Sequence, residues 1–476
     1  MAVRRILTTV ATVAIGTHAP SEALASPRSD PTLGRAVFTG STLGHPTSLT
    51  LNPAALSVRP GKRSLYFAFL GTLQQTSIDT QQLDLDTGTL SPGERVSDLQ
   101  LAPGGQAMWI ERPSERIAFG FELRVPPREM HLEDHEALRY STLGGGQQNY
   151  VATVGVSARL VSRLHIGASL SHDFTDLQLR YARDTALETG NDDCGGAPCG
   201  LGNPQATELY DVDVRSKWVS AKNLRLNLGF AVQLATDLWI GLAYHTPPGL
   251  EVQTTLDGDV TVTQAPRDGG AELTGGSTVY ISYPASIDGE LRARIWRGLD
   301  LHVGGRWEDL SRFSAYDVRT FGSTFRANGI PEWMPRARGM HDAYSIWAGV
   351  EQHDTGDQLL LGARLGYETA SVDARKTSAL TIAPAAFTVD LGVQGRVVPG
   401  APWWLQLSYG LALSPTVDAR ANAFDPRHRL DCIDSGFDYT SAGCELTRGG
   451  YAVATGAGDY TRIQHALRVG LQYEWQ

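Results

Sequence analysis

The sequence predicts an all-β protein, a transmembrane antiparallel β-barrel of about 14 strands with an N-terminal plug. Three observations lead to this prediction: long runs of alternating apolar and polar residues, short turns that alternate with long polar loops, and a composition rich in turn-forming residues. Gly accounts for 51 of the 476 residues and aromatic residues for 8%. Such a composition suits many strands and turns better than a helical core.

The first 25 residues have the features of a secretory signal peptide. Two arginines precede an apolar core at residues 6–15, and Ala23-Leu24-Ala25 forms a small-x-small cleavage site. We therefore expect an exported protein and exclude residues 1–25 from the fold. No later stretch supplies the roughly 18 consecutive apolar residues that a membrane-spanning helix needs.

Alternation with a period of two is the dominant pattern. Every second residue from Leu224 to Leu234 is Leu, Phe or Val, and the residues between them are polar or small. Residues 299–308 and 387–396 repeat the pattern with ionisable residues on the second face. A soluble sandwich also alternates, but these runs exceed the usual strand of about five or six residues. Their length favours a barrel with apolar side chains toward lipid and polar ones toward a lumen.

Turn spacing predicts the number of strands. Short turns are expected near residues 112–113, 161–162, 235–237, 297–298, 354–357 and 398–402. Long polar segments are expected near residues 80–98, 127–146, 185–212, 248–282, 314–340, 369–383 and 414–459. These turns and loops divide residues 62–476 into fourteen strands, with both ends of the chain on the short-turn side. Outer-membrane barrels have this asymmetry, with brief periplasmic turns and longer extracellular loops.

Aromatic residues near the short turns predict an interfacial girdle at that end of the barrel. The residues concerned are Trp239, Trp296, Trp403, Trp404, Tyr473 and Trp475. The last predicted strand, residues 463–476, alternates to its end and suits a closing strand.

Residues 26–61 precede the first predicted strand and lack sustained alternation. They are rich in Gly, Ser, Thr and Pro. Because fourteen strands enclose more space than eight, whose side chains nearly fill the interior, a plug is expected in the lumen. Residues 26–61 are the candidate plug, and a disordered tail is the alternative.

Two motifs in this N-terminal stretch resemble a known family. Leu33-Gly34-Arg35-Ala36 and, after a Gly/Ser/Thr-rich run, Asn52-Pro53-Ala54-Ala55-Leu56 look like the N-terminal hatch of the FadL/TodX family of outer-membrane long-chain fatty acid and hydrocarbon transporters. Residues 281–286 and 342–345 are similar to strand openings of that family. The sequence departs from it at residues 44–47, where an acidic stretch is usual, and in its polar, Cys-containing third loop.

The resemblance implies passive uptake of a hydrophobic compound across the bacterial outer membrane, without a cofactor. The expected ligand is a fatty acid, a hydrocarbon or a detergent-like molecule, and the expected surroundings are outer-membrane lipid and lipopolysaccharide around a monomer. The ligand would settle between the third and fourth extracellular loops, enter the lumen and leave sideways where the third strand kinks. The resemblance places gating at Arg35, Asn52, Pro53 and Ala54 in the hatch.

Gly and Pro weaken strand pairing, so Gly120 and Pro126-Pro127 are candidates for the kink in the third strand. The alternative for Gly120 is that it gives room inside the lumen.

Four cysteines form two close pairs, Cys194 with Cys199 and Cys432 with Cys444. An even number of cysteines in an exported chain indicates disulfides, and these local pairings are the expected ones. Zinc is the alternative, although no histidine lies at ligand spacing in either stretch, and we expect no metal.

Two other functions remain open from the sequence. The first is a general diffusion porin. The second is an outer-membrane barrel enzyme, a lipase or protease, that would use lumen-facing pairs such as Asp288 with Arg292 and Glu308 with Arg306. We expect these pairs to form a salt-bridged wall and expect no enzyme activity. The net charge of -10 argues against nucleic acid as a partner.

Overall fold

The computed structural model describes residues 37–58, 63–83, 87, 89–132, 135–184, 211–249, 253–354, 358–398, 400–419 and 456–475. The predicted signal peptide, Arg35 and all four cysteines lie outside these ranges, so the predictions about them stay predictions. No helix in the described ranges has the length and apolar character needed to cross a membrane.

Fourteen long strands form one antiparallel sheet, which confirms the predicted fold class and strand number. The strands are β1 (Arg63–Leu83), β2 (Leu90–Ser114), β3 (Ile117–Val125), β4 (Gly144–Val161), β5 (Leu164–Asp184), β6 (Asp211–Ala235), β7 (Leu238–His245 and Thr254–Thr263), β8 (Glu272–Ile281 and Ser286–Trp296), β9 (Leu299–Glu308 and Ala315–Phe321), β10 (Ala343–His353), β11 (Leu359–Glu368), β12 (Ala386–Arg396), β13 (Trp403–Leu413) and β14 (Gly458–Trp475).

Short elements accompany the strands. Two-residue strands lie at Glu129–Met130, Arg336–Ala337 and Val417–Asp418. The α-helices are α1 (Ser48–Leu51) and α2 (Ser323–Ala327), and 3-10 turns lie at Pro53–Ser57, Glu136–Leu138, Pro266–Asp268, Leu310–Arg312 and Ala374–Lys376.

The sheet closes between its first and last strands. β1 pairs with β2 on one side and with β14 on the other, from Arg63 opposite Trp475 to Thr80 opposite Gly458. A strand in lipid has no water to bond, so its backbone groups must find partners in neighbouring strands. Closure supplies those partners and removes the free edges of the sheet.

Side chains alternate between the outside and the lumen as predicted. In β13, Leu405 and Leu407 are 50% and 46% exposed on the outer face, whereas Gln406 and Ser408 between them are buried at 2%. The outer face is therefore apolar and the inner face polar. This arrangement is the reverse of a soluble protein and suits a barrel surrounded by lipid.

The two faces exchange character along β6 because of a β-bulge. Toward the long loops, Val214 and Trp218 are buried inside and Lys217 is exposed. A bulge between residues 220 and 223 adds one residue relative to β5. Beyond it, Asn227 is buried and Leu228 is exposed. Because one extra residue shifts every following side chain to the other face, the apolar residues move from the inside to the outside of the barrel.

Three predicted long loops contain strand, and these boundaries were wrong. The predicted loop at residues 80–98 includes the end of β1 and the start of β2, while those at 248–282 and 314–340 include the loop-side halves of β7, β8 and β9. Asp257 and Asp259 of β7 point outward and are exposed. Since these extensions carry polar residues outside, where the rest of the barrel is apolar, their sequence resembles a loop. Their inner faces build an apolar core with Leu256, Val260, Val279 and Phe325.

The predicted aromatic girdle is present in part. Trp296, Trp403 and Trp475 are exposed on the outer face at the short-turn end, and the Trp403 ring lies 4.6 Å from that of Tyr473. Trp404 instead faces the lumen, is 4% exposed and stacks 4.5 Å from the Arg396 guanidinium. Trp239 also faces inward, with its ring 5.8 Å from that of His165. Both tryptophans occupy strand positions whose side chains point into the lumen. Their distance from a turn, on which the prediction relied, does not show which face they take.

The apolar outer face generates a stability prediction. Leu407→Arg places a charge near the middle of the outer face and should lower the free energy of unfolding of the protein in vesicles by about 2–4 kcal/mol. Urea titration of the protein folded into phosphatidylcholine vesicles measures the change.

Asp259→Arg is the control, because Asp259 is exposed beyond the apolar part of the outer face. It should change stability by less than about 0.5 kcal/mol. Equal losses in the two variants would show that the exposed leucines do not face lipid.

Candidate functional site in the barrel lumen

Residues 37–58, here called the N-terminal segment, lie inside the barrel. Eighteen of these 22 residues are buried and the other four are half-buried. Hydrogen bonds join the segment to β2, β3, β4, β5, β6, β8 and β10. The segment therefore contacts strands on several sides of the lumen. Whether residues 26–61 as a whole act as a plug stays a prediction that these contacts support.

Asn52 connects two parts of the segment to the barrel wall. Its Oδ1 accepts a hydrogen bond from Ala54 N at 3.1 Å, and its Nδ2 donates to Ser41 O at 2.6 Å and to Phe230 O of β6 at 2.9 Å. Pro53 starts the 3-10 turn that follows. Asn52 therefore contacts the barrel wall at β6.

Glycines on inward faces let the segment approach the wall closely. A Cβ atom on Gly229 would lie 1.9 Å from Asn52 Oδ1, and one on Gly167 would lie 2.4 Å from Ala54 N. Neither distance is possible for a real side chain, so any larger residue would displace the segment. A Cβ atom on Gly155, Gly241, Gly362 or Gly392 would likewise clash with an atom of the N-terminal segment.

Two buried carboxylates hold the beginning of the segment. Glu351 Oε1 accepts from Phe38 N at 2.7 Å, and Glu290 Oε1 accepts from Thr42 N at 3.2 Å. His302 lies between these acids, with Nε2 3.3 Å from Glu351 and Nδ1 4.0 Å from Glu290. Buried charges are costly unless they are paired and hydrogen-bonded. The N-terminal segment therefore stabilises the two carboxylates of the wall, and these carboxylates hold the segment in place.

The third strand is short, and its pairing ends at a pair of prolines. β3 stops at Val125, opposite Gly105 of β2, although β2 continues to Leu90. The Pro127 ring packs against β2 at Gly104, where a Cβ atom would lie 2.9 Å from Pro127 Cδ. Pro126 O accepts from Gln148 Nε2 of β4 at 3.0 Å. Within the described residues, β2 thus has no ladder partner from β3 between residues 90 and 104.

Gly120 lies within the regular part of β3. It is opposite Ile110 of β2 and Gly155 of β4, without a register shift. A Cβ atom there would lie 3.1 Å from Leu49 Cδ2 of the N-terminal segment. The geometry thus matches the alternative, room inside the lumen, and the departure from the ladder lies at Pro126-Pro127.

A cavity of about 260 Å³ lies in the lumen near the long loops. Glu129 and Gln147, which face each other across the ladder just after the two prolines, form part of its wall. The cavity is therefore next to the end of β3. Its lining is amphipathic, and the apolar part includes Leu310, Phe313, Met340, Leu380 and Ile382.

Ion pairs line the wall of β8 and β9. Arg306 Nη1 lies 2.8 Å from Asp288 Oδ2, and its Nη2 lies 3.0 Å from Glu308 Oε1. Asp288 thus pairs with Arg306, which is directly opposite it in the ladder, and not with Arg292 as expected. The Arg292 guanidinium lies 5.9 Å from the Trp239 ring. Among the described residues, no group of three or more His, Cys, Asp or Glu side chains is placed to hold a metal ion.

Sequence reasoning missed most residues of the cavity. Arg338, Phe313 and Leu380 come from segments without periodicity, so no pattern marked them. Tyr283 lines the cavity and lies within residues 281–286, a stretch noted only for its likeness to a strand opening.

The fold is shared with known transporters. A Pseudomonas aeruginosa FadL homologue superposes with a TM-score of 0.72 at 14% identity, covering 96% of this chain and 99% of that one. The Pseudomonas putida toluene transporter TodX superposes with a TM-score of 0.62 at 13% identity, covering 96% and 100%. The Ralstonia pickettii toluene transporter TbuX gives 0.59 at 13% identity, covering 95% and 99%. No protein-family model and no curated protein matches the sequence.

The close approach at Gly229 generates a second prediction. Gly229→Ala should release the N-terminal segment without unfolding the barrel, because the added Cβ meets Asn52 Oδ1 at 1.9 Å while the ladder is unchanged. Chymotrypsin cleavage after Phe38 should speed up by roughly fivefold, as expected for about 1 kcal/mol of lost contact.

Gly289→Ala is the matched control, since a Cβ there meets only Leu242 Cδ1 at 3.6 Å. It should leave the cleavage rate unchanged. If Gly229→Ala is cleaved no faster than this control, the segment is not held at β6.

Proposed function

We propose that this chain is an outer-membrane transport protein for passive uptake of small hydrophobic compounds. The observation that carries the proposal is the position of the cavity, inside the barrel and next to the wall region where β3 leaves the ladder. A hydrophobic solute gains about 0.8 kcal/mol for each CH2 group that it buries, so a partly apolar cavity attracts it from the polar cell surface.

The exit that we propose is lateral, between β2 and β4 at Pro126-Pro127. The ladder partner of β2 is missing there in the described residues, and Glu129 and Gln147 place the cavity at the same level. A lateral route delivers an apolar molecule directly into lipid, whereas a route down the lumen would meet the polar residues around the N-terminal segment. Long-chain fatty acids and hydrocarbons both belong to the proposed class of ligands.

The N-terminal segment acts as the hatch in this proposal. Its hydrogen bonds to seven strands oppose the free passage of ions, which argues against a general diffusion porin. The ion pairs around Arg306 are wall contacts that satisfy buried charges, so we propose a transporter and not a barrel enzyme. The shared fold of toluene transporters supports the same choice.

Variants of the hatch test this function. Asn52→Ala removes three hydrogen bonds, each worth about 0.5–1.5 kcal/mol, and Pro53→Ala frees the following turn. Both variants should fold and stay heat-resistant on gels, because the ladder is intact. Uptake of a labelled fatty acid or toluene by cells that lack their own transporter should differ from wild type, and conductance in planar bilayers should rise.

Asn328→Ala is the control, because Asn328 is exposed at the end of α2. It should behave as wild type in both assays. Absence of uptake of both the fatty acid and toluene by the wild-type protein at normal surface levels would refute the transport function. High conductance of the wild-type protein would instead favour a porin.

A further inference from the structure

Size and lining restrict what the cavity can hold. Its volume of about 260 Å³ exceeds the roughly 150 Å³ of an apolar cavity that accepts benzene. It therefore suits a substituted ring or a chain of similar bulk. Leu310, Phe313, Leu380 and Ile382 form an apolar part that suits the body of such a molecule.

Three polar side chains of the same cavity carry buried atoms without a hydrogen-bond partner among the described residues. These atoms are Gln147 Oε1, Tyr283 Oη and Arg338 Nε. Gln147 and Arg338 are 5% and 4% exposed. The Thr175 hydroxyl lies within hydrogen-bonding reach of the Tyr283 hydroxyl, but its own proton goes to Asn149 Oδ1, so it does not donate to Tyr283. Buried polar atoms are nearly always bonded in native proteins, so three in one cavity indicate a site for a polar group of a ligand.

The charge of Arg338 is already balanced by its neighbours. Its Nη2 lies 3.6 Å from Glu129 Oε1, its Nη1 donates to Tyr316 Oη at 2.7 Å, and its guanidinium stacks 4.7 Å from the Phe313 ring. Burial alone would lower the pKa of Arg338, but Tyr316 and Glu129 outweigh burial and hold the pKa above its ordinary value. The guanidinium stays charged and the pair is close to neutral.

A carboxylate ligand fits this site poorly. It would bring a second negative charge to Arg338, which Glu129 already neutralises, and it offers no donor to the Gln147 oxygen. The other charged residues of the lining are Glu368, Glu308, which is paired with Arg306, and Arg462, whose guanidinium donates to Ile382 O and Gln464 Oε1. A hydroxyl group both donates and accepts, so it can donate to Gln147 Oε1 or accept from Arg338 Nε or Tyr283 Oη.

We propose that the cavity selects neutral hydrophobic molecules that carry a hydroxyl group, namely phenols or alcohols, over the corresponding carboxylates and unsubstituted hydrocarbons. The inference rests on the proposed function and assigns Gln147, Tyr283 and the Glu129–Arg338 pair as its specificity determinants. Glu129 acts by neutralising Arg338.

The test measures binding of three ligands that share one apolar body: 4-propylphenol, propylbenzene and 4-propylbenzoate. The full-length protein in lipid nanodiscs is titrated by calorimetry, with empty nanodiscs subtracted for partitioning. Wild type should bind the phenol at least roughly fivefold more tightly than the other two, as one or more hydrogen bonds predict.

Two variants separate the roles of the side chains. Tyr283→Phe should weaken binding of 4-propylphenol by roughly three- to tenfold and leave propylbenzene unchanged. Glu129→Gln should strengthen binding of 4-propylbenzoate by roughly tenfold or more, because Arg338 then keeps a net positive charge. Tyr244→Phe is the control, since Tyr244 is 41% exposed on the outer face, and it should change none of the affinities.

Each outcome either supports or overturns the inference. Equal affinities for the phenol and propylbenzene, or an unchanged phenol affinity in Tyr283→Phe, would overturn the hydroxyl preference and would mean that water serves these polar atoms. Tight benzoate binding by wild type would overturn the role of Glu129. Either result leaves the transport function standing if cells still take up the hydrophobic probes, whereas loss of all uptake refutes the transport function itself.

Discussion

Pairing of β1 with β14 is the interaction on which the whole structure depends. It gives the backbone of both end strands a second partner, and without it two edges would face lipid without hydrogen bonds. Closure also sets the inward and outward direction of every side chain, since the alternation is tied to the ladder. The exposed leucines of β13 and the buried Gln406 and Ser408 beside them follow from the same register.

A closed barrel of fourteen strands creates a lumen that its own side chains do not fill. Here the N-terminal segment lies in that space, and two complementary features allow it. Inward glycines such as Gly229 and Gly167 bring the wall close to the segment backbone. Buried acids such as Glu351 and Glu290 receive hydrogen bonds from the segment, which lowers the cost of burying their charge.

At the end of β3 the continuous pairing of strands is interrupted, and specific contacts hold the chain where it leaves the ladder. Pro127 packs against Gly104 of β2, and Pro126 O accepts a hydrogen bond from Gln148 of β4, so the chain that leaves the ladder still has contacts on both sides. The cavity lies at this level because the connection between the two halves of β9 contributes Phe313, and the loops that follow β9 and β11 contribute Met340 and Leu380. An irregularity in the wall and an apolar space are thus brought together by elements far apart in sequence.

The sequence by itself determined the barrel, the fourteen strands and the short-turn end. Period-two alternation and turn residues are local patterns, and the closed barrel keeps the strands and turns that they predict. The sequence also singled out Asn52-Pro53-Ala54 as a motif of the N-terminal stretch and Glu308 with Arg306 as a lumen-facing pair. Only the tertiary structure decided that Asn52 meets β6, that Asp288 pairs with Arg306, that Trp404 faces inward and that Arg338 and Tyr283 share a cavity. These contacts depend on strand register and on where loops return to the lumen. Register follows from hydrogen bonds between residues distant in the chain, which no local pattern encodes.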